Sequence, residues 1–161
     1  MQKIVCFNGP FEKNGYLNNW YIADFIKYGL RFSSVQQYMG FKTIMLFQDA
    51  GVDPYILAAS DTNTIKETDC PVKNYIEDVW SSVSQMVMYE GILEKFRQNK
   101  DLRDKLLATQ PDILAMCKAE DKILGIGLSM KDDRRFQMSE WQGQNLLGFT
   151  LMMVRAELSE K

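Results

Sequence analysis

Apolar residues recur at helical spacing in three long stretches of the chain. Val35, Tyr38, Met39, Met45 and Leu46 fall on one stripe, with Ser33 or Ser34 before them to cap a helix. Gln36, Gly40 and Thr43 lie on another face of that helix. The longest periodic run predicts a helix from about Asn74 to Arg97, with Ile76, Trp80, Val83 and Val87 as its buried stripe and Leu93 and Phe96 continuing it. Glu90 falls on the same side, where a carboxylate is expected at the stripe's edge, snorkelling or paired. A last helix is predicted from about Asn145 to Leu158, aligning Leu147, Leu151, Val154 and Leu158 for burial.

Between these runs the pattern is shorter. Helices are predicted at about 53–59 and 62–68, the second opened by Asp61 or Thr62 and stopped before Pro71, and again over LRDKLLAT, capped by Asn99. Residues 3–32 lack helical period. They carry β-favouring runs, IVCF at 4–7 and DFIKYGLRF at 24–32, the latter broken at Tyr28-Gly29 as a hairpin would be. Asn18, Asn19, Trp20 and Tyr21 form a polar and aromatic loop between them. Gly125 and Gly127 punctuate a loop that runs on through KDDRR at 131–135, a charged run expected to be solvated. The expected fold is mainly α, one multihelical domain over residues 1–161 with a small β-hairpin or sheet near its start.

At 161 residues the chain can bury roughly 70% of its unfolded surface in one domain. Its 19 basic and 21 acidic residues give a net charge of −2 without the clustered cations that binding a duplex through its phosphates requires. A single phosphorylated nucleotide needs only one or two local cations. Three widely separated cysteines, Cys6, Cys70 and Cys117, without a CxxC pair, suggest neither a disulfide framework nor a zinc knuckle, and a reducing cytoplasm is expected. No apolar run approaches the ~20 residues of a membrane span, so a soluble protein is expected. There is no histidine, which removes the Ser/His/Asp and Cys/His nucleophile arrangements and most metal sites. Carboxylates, tyrosine, lysine and amides are left for any chemistry, with no metal and no cofactor expected.

The stretch WQGQNLLG, Trp141 to Gly148, places a tryptophan, glycines and amides immediately before an apolar helix. An exposed helix start with an aromatic beside it can hold an anion and stack a flat ring. The same residues also describe an ordinary capped loop. Upstream, Gly125-Ile126-Gly127 offers a second tight backbone approach after Glu120 and Asp121, and together the two read as a pocket for a nucleotide-like ligand.

Taken in order, these segments resemble the NADAR family, also called YbiA-like. LNNWY at 17–21 is similar to that family's L-S-N-W-Y, and SSVQQY at 33–38 to its S-V-E-H/Q-Y helix. Trp80 with Lys95-Phe96 matches a tryptophan followed by K-F at the end of the same helix, and LLAT at 106–109 matches as written. Asp121 with GIG at 125–127 resembles D-x-x-W-G-x-G, and WQGQNLLG resembles W-x-G-x-N-x-L-G.

The resemblance implies a mainly α fold and hydrolysis of an N-glycosidic bond in an ADP-ribosyl or ribosylamino-phosphate compound, of the ADP-ribosylated guanine or riboflavin-pathway intermediate type. The partner it implies is a small ADP-ribose or ribose-phosphate derivative, or a modified guanine in nucleic acid. By position, the family's active residues fall on Gln36, Trp80 and Asp121. Asn19, Trp20, Tyr38, Lys42, Gly125, Gly127, Trp141, Gly143 and Asn145 are expected to bind the ligand. Three departures stand out: Gln36 replaces the family glutamate, Thr43 the lysine seven residues later, and Leu124 the tryptophan after Asp121. Gln36 cannot accept a proton, so a catalytically impaired ADP-ribose or nucleotide-binding protein is the alternative expectation. The expected site brings Gln36, Trp80 and Asp121 to one cavity.

Overall fold

The computed structural model describes residues 2–47 and 72–160; the helices expected at 53–59 and 62–68, and Cys70, lie outside the described residues. In chain order the elements are strand β1 (Ile4–Phe7), strands β2 (Phe25–Lys27) and β3 (Leu30–Phe32), helix α1 (Val35–Phe47), helix α2 (Glu77–Gln98), helix α3 (Lys100–Leu107), strand β4 (Ile113–Met116) and helix α4 (Leu146–Ser159). Short 3-10 turns occur at Gly15–Leu17, Asp133–Phe136 and Met138–Glu140. Helix dominates, as the periodicity predicts. The chain divides into two compact units, Asn19–Asn99 and the discontinuous pair Met1–Asn18 with Lys100–Lys161.

In the unit Asn19–Asn99, β2 and β3 pair antiparallel with Phe25 opposite Phe32 and Lys27 opposite Leu30. Tyr28 (φ 55°) and Gly29 (φ 73°) both take the left-handed conformation that a two-residue hairpin turn requires, so the break read at these residues is the turn. Phe25 and Phe32 meet Tyr38 of α1 edge-on, the Phe32 and Tyr38 rings being 5.2 Å apart. Ser34 caps α1, its Oγ accepting the Gln37 N–H at 3.1 Å, while Gln37 Oε1 accepts the Ser33 N–H at 2.6 Å. The buried face runs through Val35, Tyr38, Phe41, Ile44 and Phe47. Met45 and Leu46, expected on the stripe, are exposed instead. Apolar residues sit on almost every side of α1, so spacing alone did not choose the buried face.

Helix α2 starts at Glu77, three residues after the expected start, because Asn74 is left-handed (φ 60°) and Ile76 extended. Its buried residues, Val87, Met88, Gly91, Ile92, Lys95 and Phe96, lie in the C-terminal half, which packs on α1. The N-terminal part of the expected stripe fares differently: Ile76 is exposed, and Trp80 and Val83 are half-buried. Gly91 is needed at the crossing, since a Cβ there would come within 2.9 Å of Tyr38 Cδ1 and 3.1 Å of Val35 Cγ1. Asn99 stands immediately before α3, where it was expected, and also closes α2, its Nδ2 donating to the Lys95 carbonyl at 2.8 Å and the Asp24 carbonyl at 2.9 Å.

In the discontinuous unit, β1 pairs in parallel with β4, from Ile4 opposite Ile113 to Phe7 opposite Met116. The ILAM strand falls in a segment to which the pattern assigned no element. Helix α4 packs on β4 and α3 and buries Leu147, Leu151, Val154 and Leu158 as expected. Arg155 is buried with them, its Nη1 donating to Thr109 Oγ1 and the Asp112 carbonyl, each at 2.8 Å. Ala115, Cys117, Ile126 and Leu128 form a small core, against which Ile4, Cys6, Met130 and Trp141 pack. The KDDRR run is only partly solvated. Asp132 caps the turn at Asp133–Phe136 through the Arg134 N–H at 3.0 Å, and Arg135 folds inward over the Phe136 ring, its side chain 16% exposed. No helix among the described residues is long and apolar enough to cross a membrane.

Candidate functional site

The predicted site residues divide between the two units. Gln36, Trp80, Asn19, Trp20, Tyr38 and Lys42 belong to Asn19–Asn99, and Asp121, Gly125, Gly127, Trp141, Gly143 and Asn145 to the discontinuous unit.

In the first group, the start of α1 rests on the loop before β2. The Asn19 carbonyl accepts the Gln36 N–H at 2.9 Å. Asn19 is 3% exposed; its Nδ2 lies 3.8 Å from Met39 Sδ, and its Oδ1 is buried with no hydrogen-bond partner among the described residues. A buried acceptor left unsatisfied costs about 1–3 kcal/mol. Thr43 returns its hydroxyl to the Met39 carbonyl of its own helix at 2.8 Å. Gln36 itself is half-buried, as are Trp20 and Trp80.

Tyr38 and Lys42 belong to a neighbouring polar cluster. The Tyr38 hydroxyl donates to Glu90 Oε2 at 2.6 Å, so the Glu90 carboxylate is paired, as expected for the edge of a stripe. Burial, then the Glu90 carboxylate and the Tyr28 hydroxyl, push the Tyr38 phenol well above the ordinary tyrosine range. Lys42 Nζ sits 5.5 Å from the Tyr28 ring centroid. Lys95 went unnoticed in the sequence except as half of a K-F pair. It is 1% exposed, with Nζ over the rings of Tyr21 and Phe96, and desolvation lowers it from 10.5 to about 7. A lysine on a buried stripe, with the aromatics of the 17–21 loop available to cover it, is the signal that would have found it.

The second group forms a clasp of backbone. Asp121 Oδ1 accepts the N–H groups of Ile123 at 3.0 Å, Leu124 at 2.8 Å and Gly125 at 3.5 Å. The carbonyls of that same loop take the donors at the start of α4: Asn145 N–H to Gly125, Leu146 to Ile123 and Leu147 to Leu124, at 3.0 to 3.1 Å. The helix start expected to present N–H groups to an anion is therefore largely filled by the protein itself. Asn145, left-handed at φ 53° and fully buried, spans β4 with its side chain, Nδ2 donating to Leu114 O at 2.8 Å and Oδ1 accepting Met116 N–H at 3.0 Å. Gly143 packs against the Gly125 carbonyl, and Gly127 (φ 69°) is left-handed. Trp141 Nε1 donates to the Arg135 carbonyl at 2.9 Å.

A cleft of about 590 Å³ opens in the discontinuous unit, lined by Cys6, Lys13, Asn14, Thr109, Met130 and Arg135 among others. None of the sequence-predicted residues lines it. Among the described residues, no group of three or more Cys, Asp or Glu side chains is placed to hold a metal ion.

The chain is similar to several known proteins. The chain is 31% identical over 163 residues to an N-glycosidase of Acanthamoeba polyphaga mimivirus, covering 96% of both. It is 28% identical to a riboflavin biosynthesis protein of Vibrio vulnificus over 99% of this chain but 40% of that protein. The NMR structure of the Escherichia coli protein YbiA matches with a TM-score of 0.78 and 25% identity, over 99% of this chain and 88% of YbiA. The NADAR domain model matches residues 6–159, and the chain belongs to the NADAR family.

Proposed function

We propose that this protein is an N-glycosidase that hydrolyses the N-glycosidic bond of an ADP-ribosyl or ribosylamino-phosphate compound. The observation that carries the reading is Asn19: a buried carbonyl oxygen without a partner, next to the backbone that holds Gln36. It is an acceptor of the kind a sugar hydroxyl satisfies. The N-glycosidase name of the mimivirus relative supports the same class of reaction.

Breaking the bond between ribose C1′ and a base nitrogen builds positive charge on the sugar and negative charge on the departing base. Asp121 is the proposed carboxylate: three backbone N–H groups hold its Oδ1 and set its orientation, and its proposed role is to stabilise the positive charge that develops on the sugar. Gln36 binds a ribose hydroxyl or orients water through its amide, and Trp80 or Trp20 stacks the base. Lys42 meets a phosphate. Tyr38, Trp141, Gly125, Gly127, Gly143 and Asn145 are proposed to shape the ligand's surroundings. The substrate is a free ADP-ribose or ribose-phosphate derivative, or a modified guanine in nucleic acid.

Loss of a general acid or base costs ~10²- to 10⁴-fold in rate while leaving binding largely intact. This favours a second reading, a binding protein with impaired turnover, on the observation that position 36 holds a neutral amide. Release of free base from ADP-ribosylated guanosine separates the two. Measurable release by the native chain, rising in Gln36→Glu, supports the enzyme; release only in Gln36→Glu supports the binder. No release from either, with no thermal shift on adding ADP-ribose, overturns both.

A further inference from the structure

The 590 Å³ cleft of the discontinuous unit carries chemistry that the glycosidase reading does not use. Cys6 stands on its wall, half-buried, and Cys117 lies buried beneath it in the same apolar cluster. Lys13 and Arg135 supply two cations to the same cleft. Arg135 uses Nη1 on the Asp132 carbonyl and Asp133 carboxylate, while its Nε is buried with no hydrogen-bond partner among the described residues. Asp112 is the acidic side chain lining the cleft, and its Oδ1 is already engaged by the Lys3 N–H at 2.9 Å. The charged side chains that line the cleft are thus two cations and one carboxylate.

We propose that Cys6 is a thiol-exchange site that takes an anionic, low-molecular-mass disulfide into this cleft and keeps one half of it as a mixed disulfide. The Cys6 thiolate attacks one sulfur of the reagent, the reagent's S–S bond breaks as the Cys6–S bond forms, and the other half leaves as a thiolate that takes a proton from water. Cys6 is oxidised and the leaving thiol reduced, so no further oxidant is needed. Lys13 and Arg135 attract the reagent's carboxylates. Cys117 and Arg135, both beside it, hold the Cys6 thiol down at about 7, while Cys117 is itself pushed up and stays protonated.

A thiol lowered from 9.0 to about 7 gains roughly fiftyfold in thiolate at neutral pH and loses part of it to weaker nucleophilicity, leaving an advantage of about fivefold. The test is peptide-mapped mass spectrometry of the intact chain treated with oxidised glutathione, or with neutral hydroxyethyl disulfide, each referred to the same cysteine in the guanidinium-unfolded chain. The expected result is a folded-to-unfolded rate ratio near five or above at Cys6. This ratio should be higher for the anionic reagent, and the excess should vanish in Arg135→Gln and at high salt. In Cys117→Ala the pH midpoint of Cys6 alkylation should move upward. A ratio of one or less, or equal ratios for the two reagents, overturns the proposal without bearing on base release by the glycosidase.

Discussion

Each unit buries an asparagine where the backbone turns, and the two are used in opposite ways. Asn145 has both ends of its amide engaged: it donates to one residue of β4, accepts from another and, through its own N–H, ties the loop at Gly125 to α4. Asn19 is buried almost as deeply, yet its oxygen has no partner. The conspicuous glycine and amide motif near the C-terminus is thus committed to holding the protein together, while the plainer N-N-W-Y loop keeps unmet hydrogen-bonding capacity. A signature motif and a binding group need not be the same residues.

The contrast can be broken most forcefully at Gly148. An added methyl there would run into the Leu114 carbonyl and the Asn145 side chain, neither able to yield, so Gly148→Ala should cost about 3 kcal/mol or more in guanidinium unfolding. Asn145→Ala leaves a β4 donor and a β4 acceptor unsatisfied in the core, and about 2–3 kcal/mol should be lost in the same measurement. The other unit answers to pH. Lys95, lowered to about 7 in the folded state against 10.5 in the open chain, binds fewer protons folded than unfolded between those values. Its contribution to stability should therefore rise as pH climbs from about 7 to 10.5 and stay flat outside that window, and Lys95→Met should flatten the rise. Asn19→Ala should have the smallest effect on unfolding, below about 1 kcal/mol, because no bond to Oδ1 is lost, and should instead remove the thermal shift produced by ADP-ribose. A large stability loss at Asn19 with ligand binding intact would erase the distinction between the two asparagines.

Much of this was written in local pattern. The Ser34 cap, the Tyr28-Gly29 turn and the buried residues of α4 follow from neighbours a few positions apart, and all three appear where the spacing put them. The strand Ile113–Met116 did not show, because four apolar residues carry no period of their own and their partner lies at the far end of the chain. The inward fold of Arg135 was hidden for a similar reason: a charged run reads as solvated until an aromatic ring, here Phe136, is known to lie under one of its members. For the candidate site, the family signature located the segments, but side-chain roles were legible only where chemistry is intrinsic to the residue. Gln36 lacks a charge in any fold, whereas the open oxygen of Asn19 and the desolvation of Lys95 exist only once the surroundings are in place.

The parallel pairing of Ile4–Phe7 with Ile113–Met116 also sets an order of assembly. A ribosome delivers the first strand long before its mate, so β1 must wait, unpaired, while the whole Asn19–Asn99 unit emerges. The discontinuous unit is then completed only by late-arriving chain, at the entropic cost of closing so long a loop. A nascent chain halted before Met116 would leave the Cys6 thiol without its cover and the amino-terminal strand open to capture by a chaperone or by another strand.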